Sequence, residues 1–370
     1  MAAGVVPVLL ACLPLAVWLF VMLRPGVTVS SRTIPANAAW IGVMVVFVAY
    51  VNPWWGLCAA LAAWHWLWRG WQLIEGFFLW PVCAAAALIG THASQPWLDA
   101  AICLALAIGV LEVIVAAAQY CRLPLLLIIR PSDGQPEIFG TIGHRTGLGA
   151  YLALLIPLSF LSSWGPALTG IYAIGLLLSR SNVAIAAGFI GFLWVAPGVW
   201  WVALPAAVLG FVYRSVEFEG WRPAQWRHMG DIWKARKAVW KATFRHLPTR
   251  PFPPAWLIGR GSFALDCRTW QIAGTDGKDR PHLPLAVHTG EMFREAHNDF
   301  VEHAYEYGAL GCLAMAGWLW SLRGAFGWHD PLTGALLALA ITMAGSFPIR
   351  VAPILGVAGL VIISLMRRAM

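Results

Sequence analysis

The sequence predicts an all-α, polytopic integral membrane protein of about twelve spans, and three observations carry that expectation. Apolar runs recur at the length a helix needs to cross hydrocarbon. Only 11% of the 370 residues are charged, against 60% hydrophobic and a mean hydropathy of +0.70. A soluble domain carries about a quarter charged residues. The 23 tryptophans suit interfacial belts, where an apolar ring with one donor prefers the headgroup level.

The runs fall at residues 5–23, 38–52, 54–69, 72–92, 98–120, 147–163, 165–178, 182–197, 199–213, 298–321, 331–348 and 350–366. The run from Val5 to Leu23 lacks the basic flank of a secretory signal and is expected to be retained as the first span. The runs at 165–178 and 182–197 are short for a full crossing, which points to tilt, local thinning or a re-entrant segment. This pattern divides the chain into an N-terminal transmembrane bundle (1–213), a large loop (214–296) and a C-terminal transmembrane segment (297–370).

All four lysines and ten of the arginines lie in the large loop, which implies a soluble subdomain or lid. Within it, residues 231 to 246 set Ile232, Ala235, Val239 and Ala242 at helical spacing with basic residues between them, the pattern of a surface amphipathic helix. Pro248, Pro251, Pro253 and Pro254 end that helix, and Gly259-Arg260-Gly261 makes a turn. The net charge is +8, but the basic residues are not interleaved with aromatics in a soluble patch, so nucleic acid is excluded and lipid headgroups or phosphorylated ligands fit better. The seven cysteines show no metal-ligand spacing and no disulfide framework.

Three polar constellations interrupt the apolar pattern. The first runs from His297-Asn298-Asp299 through Glu302, His303 and Glu306 to Gly308 at the mouth of a span, where ionisable residues mark function by default. Asp299 with Glu302 reads as a capping box, and the acids with His303 form one polar stripe. His297 stands outside that capping account, and an imidazole titrating near neutrality suits proton acceptance from a hydroxyl or, when protonated, phosphate binding. The second is Ser179-Arg180-Ser181-Asn182, where Arg180 either snorkels to headgroups or grips phosphate oxygens with its planar fork. The third is Gly140-Thr141-Ile142-Gly143-His144-Arg145, either a plain turn or a set of amides and cations facing an anion. His65 and Glu112, inside apolar runs, read as paired structural groups rather than a proton relay.

These residues resemble the O-antigen ligase and polymerase superfamily of membrane glycosyltransferases. His297-Asn298, nine intervening residues, Gly308, two more and Gly311 resemble its His-Asn motif. Ser179-Arg180-Ser181 is similar to its Ser-Arg element. Arg236 with Trp240, then Gly259-Arg260-Gly261-Ser262-Phe263, resembles its periplasmic loop pattern, and Gln119-Tyr120 with Gly140-Thr141-Ile142-Gly143 is also family-like. The chain departs from the family where His144-Arg145-Thr146 replaces an Asn-Pro-Asn-like element, and in carrying an arginine inside Gly259-Arg260-Gly261.

The resemblance implies inverting transfer of a glycan from undecaprenyl pyrophosphate to an acceptor hydroxyl, with neither metal nor cofactor. Ligation of O-antigen to lipid A-core is the first expectation. Repeat-unit polymerisation or protein O-oligosaccharyl transfer is the alternative, and a transporter or flippase of lipid-linked or anionic solutes, or a non-catalytic scaffold, lies outside the enzyme class. In this reading Arg180 and Arg236 meet the pyrophosphate charge, with Arg145 and Arg260 in reserve, and His297 orients or deprotonates the acceptor. Asn298, Glu302, Glu306, Gly140 and Gly143 complete the substrate side. Partners are the lipid-linked donor, a glycolipid, glycan or protein acceptor, and membrane lipids. The location implied is the bacterial inner membrane with the site facing the periplasm, although the arginine bias of the short loops, taken alone, would put the large loop in the cytoplasm.

Overall fold

The computed structural model describes residues 45–46, 48–69, 83–84, 87–88, 90, 92–121, 123, 138, 140–142, 145–199, 205, 236–237, 239–241, 243–244, 254–261, 263, 298–345 and 352–369. These residues are mostly helical, and no strand occurs among them. The helices are α1 (Pro53–Arg69), α2 (Gln95–Tyr120), α3 (Arg145–Ser159), α4 (Gly165–Ser179), α5 (Asn182–Val195), the one-turn α6 (Ala255–Ile258), α7 (Asp299–Ser321), α8 (Pro331–Gly345) and α9 (Ala352–Ala369). Eight of them lie on apolar runs read from the sequence, their ends shifted by a few residues. The run at 5–23, and most of 38–52, 72–92 and 199–213, lie outside the described residues. Among the described residues, α2 is the one helix long and apolar enough to cross a membrane, and α4, α5 and α8 are shorter apolar helices.

Helix α3 is the centre of the bundle. Every residue from Gly147 to Ser159 is buried, and α2, α4, α5, α8 and α9 pack around it. A helix apolar on all sides needs such a full jacket. Two buried tyrosines tie the neighbours to α2: Tyr151 of α3 donates to the Ala105 carbonyl at 3.0 Å, and Tyr172 of α4 to the Leu106 carbonyl at 2.7 Å. Helices α5 and α8 meet through backbone. A Cβ built on either Gly191 or Gly334 would stand 3.1 Å from the other's carbonyl oxygen, a tight contact that glycine avoids.

The helices run antiparallel, and this sorts the connections to two ends of the bundle. At the far end, Arg368 of α9 pairs with Asp330 at 2.7 Å, and Arg367 donates to the Ala93 carbonyl ahead of α2 at 2.7 Å. Asp330 also accepts from the Thr333 amide and hydroxyl, which caps α8. Burial opposes ionisation of Asp330, but the Arg368 and Thr333 hydrogen bonds outweigh it and hold its pKa below the usual value. Trp97, Trp164, Trp320 and Trp328 are exposed at this same end, with the Arg323 guanidinium 4.7 Å above the Trp320 ring. Along the outside of α2, Leu104, Ile108, Leu111 and Ile114 are all exposed, so its outer face is as apolar as its inner one.

Candidate functional site at the loop end of the bundle

The opposite end gathers the polar constellations. Gly140 and Thr141 form a turn fastened to the buried face of α2. The Gly140 amide donates to Gln119 Oε1 at 3.0 Å, and Gln119 Nε2 returns a bond to the Gly140 carbonyl at 3.0 Å. The Thr141 amide donates to Glu112 Oε2 at 2.7 Å, and the Thr141 hydroxyl donates to Glu112 Oε1. Glu112 is only 6% exposed, and these donors compensate a carboxylate that would otherwise be costly there. Gly140 has φ +61°, and a Cβ on it would collide with Glu112 Oε2. The expectation that the Gly140 amide faces a bound anion is therefore corrected: α2 side chains take the Gly140 and Thr141 amides. Gly143 lies outside the described residues, and Arg145 is exposed at the first residue of α3.

Arg180 closes α4 in the left-handed region, with φ 54° and ψ 25°, a conformation that costs a non-glycine residue about 1 kcal/mol or more. Its amide bonds to the Leu177 carbonyl at 3.2 Å. The hydroxyls of its serine neighbours serve the helix ends. The Ser179 hydroxyl donates to the Leu176 carbonyl at 2.7 Å, and Ser181 caps α5 by accepting from the Ala184 amide. Gly149 of α3 packs on this turn, where a Cβ would stand 2.8 Å from Ser179 Oγ.

Next to that turn lies the C-terminal end of α8, whose last carbonyls lack helical partners. Asn298 Nδ2 donates to the Ala344 carbonyl at 2.8 Å, and Arg236 from the large loop donates to the Gly345 carbonyl at 3.1 Å. A Cβ on Gly345 would stand 2.7 Å from Val183, immediately after Asn182, so the Ser179–Asn182 turn, Arg236 and Asn298 share one neighbourhood. Burial lowers the pKa of Arg236, which disfavours its charge unless an anion joins the carbonyl. The described residues around it, 236–244, are helical, with Val239 and Thr243 buried and Lys237 and Lys241 outward. Val239 is buried as the amphipathic pattern expects, while Ile232, Ala235 and Ala242 lie outside the described residues and Arg236 faces inward.

The capping assignment also changes. Asn298, not Asp299, is the N-cap of α7, with its Oδ1 accepting from the Val301 amide at 3.0 Å. Glu302 then stands one residue too far along to complete a box. Asp299 and Glu302 are each 2% exposed, so the polar stripe read from the sequence is turned into protein. His303 Nε2 lies 3.0 Å from the Gly311 carbonyl. His297 precedes the described residues of α7, and Glu306 is committed elsewhere.

Glu306 belongs to a junction between α7 and the loop that the sequence did not disclose. At Gly308, φ 64° and ψ −160° break the helix. An intact helix would pair the Tyr305 and Glu306 carbonyls with amides four residues on. Here the Arg260 amide donates to the Tyr305 carbonyl at 2.8 Å and the Gly261 amide to the Glu306 carbonyl at 3.0 Å. The Phe263 amide donates to Glu306 Oε1 at 3.1 Å, and the Phe263 ring meets Tyr305 edge-on at 5.6 Å, both residues fully buried. Across the junction, His65 Nε2 of α1 lies 2.7 Å from the Ile258 carbonyl. The expectation that His65 and Glu112 are paired structural groups matches the bonds each makes.

Chemically, this end offers Arg145, Arg180, Arg236 and Arg260, the Asn298 cap, and carboxylates already committed to the protein. No group of three or more histidine, cysteine or acidic side chains able to hold a metal ion occurs among the described residues. Compared with protein-family models, curated proteins and solved structures, the chain matches none.

Proposed function

We propose that the chain is a polytopic membrane glycosyltransferase of the O-antigen ligase and polymerase kind, moving a glycan from undecaprenyl pyrophosphate to an acceptor hydroxyl, first of all on lipid A-core. The observation that carries this reading is that the Ser179–Asn182 turn, Arg236 and the Asn298 cap lie together at the C-terminal end of α8, with Gly140, Thr141 and Arg260 toward the same end of the bundle. The apolar outer face of α2 and the exposed tryptophans at the far end suit a chain surrounded by lipid and its headgroups.

In this reading about twelve spans cross the bacterial inner membrane and the loop end faces the periplasm. The departing pyrophosphate gathers negative charge, and guanidinium groups fixed before the reaction stabilise it without reorganising, each by about 2 to 4 kcal/mol. Arg236 suits that role because it is partly desolvated and its guanidinium is oriented by a hydrogen bond to the Gly345 carbonyl. Arg180 suits it because its position is defined by a helix cap rather than by a floppy loop. His297 adjoins the Asn298 cap in sequence and is the proposed base or orienting group for the acceptor.

The test is the gel profile of surface glycans in a strain lacking its own ligase and polymerase, expressing this chain or its His297→Ala variant at equal abundance. Restored glycan with the wild type and none with the variant is the expected outcome, and the band pattern separates capping of lipid A-core from chain extension. Equal restoration by both removes His297 from the mechanism. Restoration by neither counts against the transferase reading in favour of transport.

A further inference from the structure

We infer that His65 is a positioning residue: through the Ile258 carbonyl it holds segment 255–263 as a fixed wall on the broken helix α7, and so sets where Arg260 stands. The inference rests on the proposed transferase reading only for its activity readout.

Segment 255–263 is short, yet it is held at several points. Two of its amides, those of Arg260 and Gly261, replace the helical partners that the break at Gly308 removes from Tyr305 and Glu306. A third, from Phe263, is taken by the Glu306 carboxylate. The Ile258 carbonyl, at the end of one-turn helix α6, would lack a helical partner, and His65 approaches it from α1. With a carbonyl as acceptor, His65 Nε2 carries the proton. His65 is 5% exposed on a helix that is apolar up to its final Arg69 and rich in tryptophan, where a histidine is costly unless it is bonded.

Flanking glycines at φ +78° and +89° reverse the backbone on either side of Arg260, so its direction follows from how the segment is seated. A lid able to swing open would have to release these bonds together and expose Phe263, which is fully buried. The geometry therefore fits a wall rather than a lid.

The experiment is hydrogen exchange of peptides covering 257–263 in the full chain in lipid nanodiscs, with and without undecaprenyl pyrophosphate, for wild type, His65→Leu and His65→Gln. The expected result is protection in the wild type that undecaprenyl pyrophosphate leaves unchanged. In His65→Leu exchange is expected to be faster by about tenfold, the effect of one net hydrogen bond, and in His65→Gln, whose amide can also donate, near wild type. In a glycan-transfer assay the leucine variant raises the donor KM more than it lowers kcat, and glutamine restores it. Protection lost on adding undecaprenyl pyrophosphate would reveal a moving lid, and unchanged exchange in His65→Leu would remove His65 from the role. If no version transfers glycan, the exchange data still decide this inference while the transferase reading fails.

Discussion

Replacing Gly308 by alanine tests whether the break in α7 is held by the loop segment seated on it. A Cβ at 308 would abut the Gly259 amide nitrogen and stand 2.6 Å from the Leu257 carbonyl carbon and oxygen, all backbone atoms that cannot rotate away. Keeping the native conformation with φ 64° costs a residue with a side chain about 1 to 3 kcal/mol before any clash is counted. The alternative is that the segment leaves. That gives up four hydrogen bonds of about 1 kcal/mol each, the one from His65 included, and exposes Phe263 at about 2 kcal/mol more. Whichever route is cheaper, the loss is expected at about 3 to 5 kcal/mol. Gly356→Ala on α9 is the control, because nothing stands within 4 Å of its Cβ and helix propensity favours alanine by about 1 kcal/mol. Thermal unfolding in detergent should put Gly308→Ala more than about 5 °C below wild type, with Gly356→Ala at or above it. A Gly308→Ala protein melting with the wild type would refute the argument, because a break that tolerates a side chain is not locked by close backbone contact.

Asp330→Ala removes both the cap on α8 and the Arg368 pair and is expected to cost about 1 to 2 kcal/mol, whereas Asp330→Asn keeps the cap and loses less than about 1 kcal/mol, as urea or thermal unfolding will read. The folded-state pKa of Asp330 is depressed, so its contribution is present above the unfolded value and is lost as pH falls through the folded one. Acid melting curves of wild type and Asp330→Asn should therefore converge below the ordinary aspartate range, and curves that stay parallel would count against the latch. Asn298→Ala loses the α7 cap and the Ala344 bond together, about 2 to 3 kcal/mol. Asn298→Asp keeps the cap but sets a carboxylate against that carbonyl, so its melting point should fall between alanine and wild type. A variant as stable as wild type yet inactive in transfer would instead make Asn298 a substrate ligand.

The positions of the described helices were legible because they fall on apolar runs of helical length bounded by polar, glycine and proline residues. The run read at 98–120 appears as Gln95–Tyr120, extended by a polar first turn with proline at its start. The polar details were less legible because they depend on partners far away in the chain. Asp299-x-x-Glu302 has the spacing of a capping box, but Asn298 has both a side-chain acceptor for Val301 and a donor that reaches Ala344, and it takes the cap. Tyr307-Gly308-Ala309-Leu310 reads as unbroken helix, and the break becomes visible only when residues 257–261 lie against it. Glu112 gives no local hint of Thr141, twenty-nine positions on. The gathering of Arg180, Arg236 and Asn298 was anticipated only through the family resemblance, since no spacing in the sequence brings three such distant stretches together.

The glycine seam between α5 and α8 bears on how damage to this protein would look to a geneticist. Backbone faces backbone at this point, so an added methyl group at Gly191 or Gly334 is accommodated by a shift of the facing helix of a few tenths of an ångström. The Arg180 turn begins α5 and the carbonyls gripped by Arg236 and Asn298 end α8, so the shift arrives at the loop end about 14 to 17 Å away along the helix axes. A random screen for inactive alleles would thus return these buried glycines beside the charged residues, and a map of the hits drawn on the sequence alone would scatter what is mechanically one lesion.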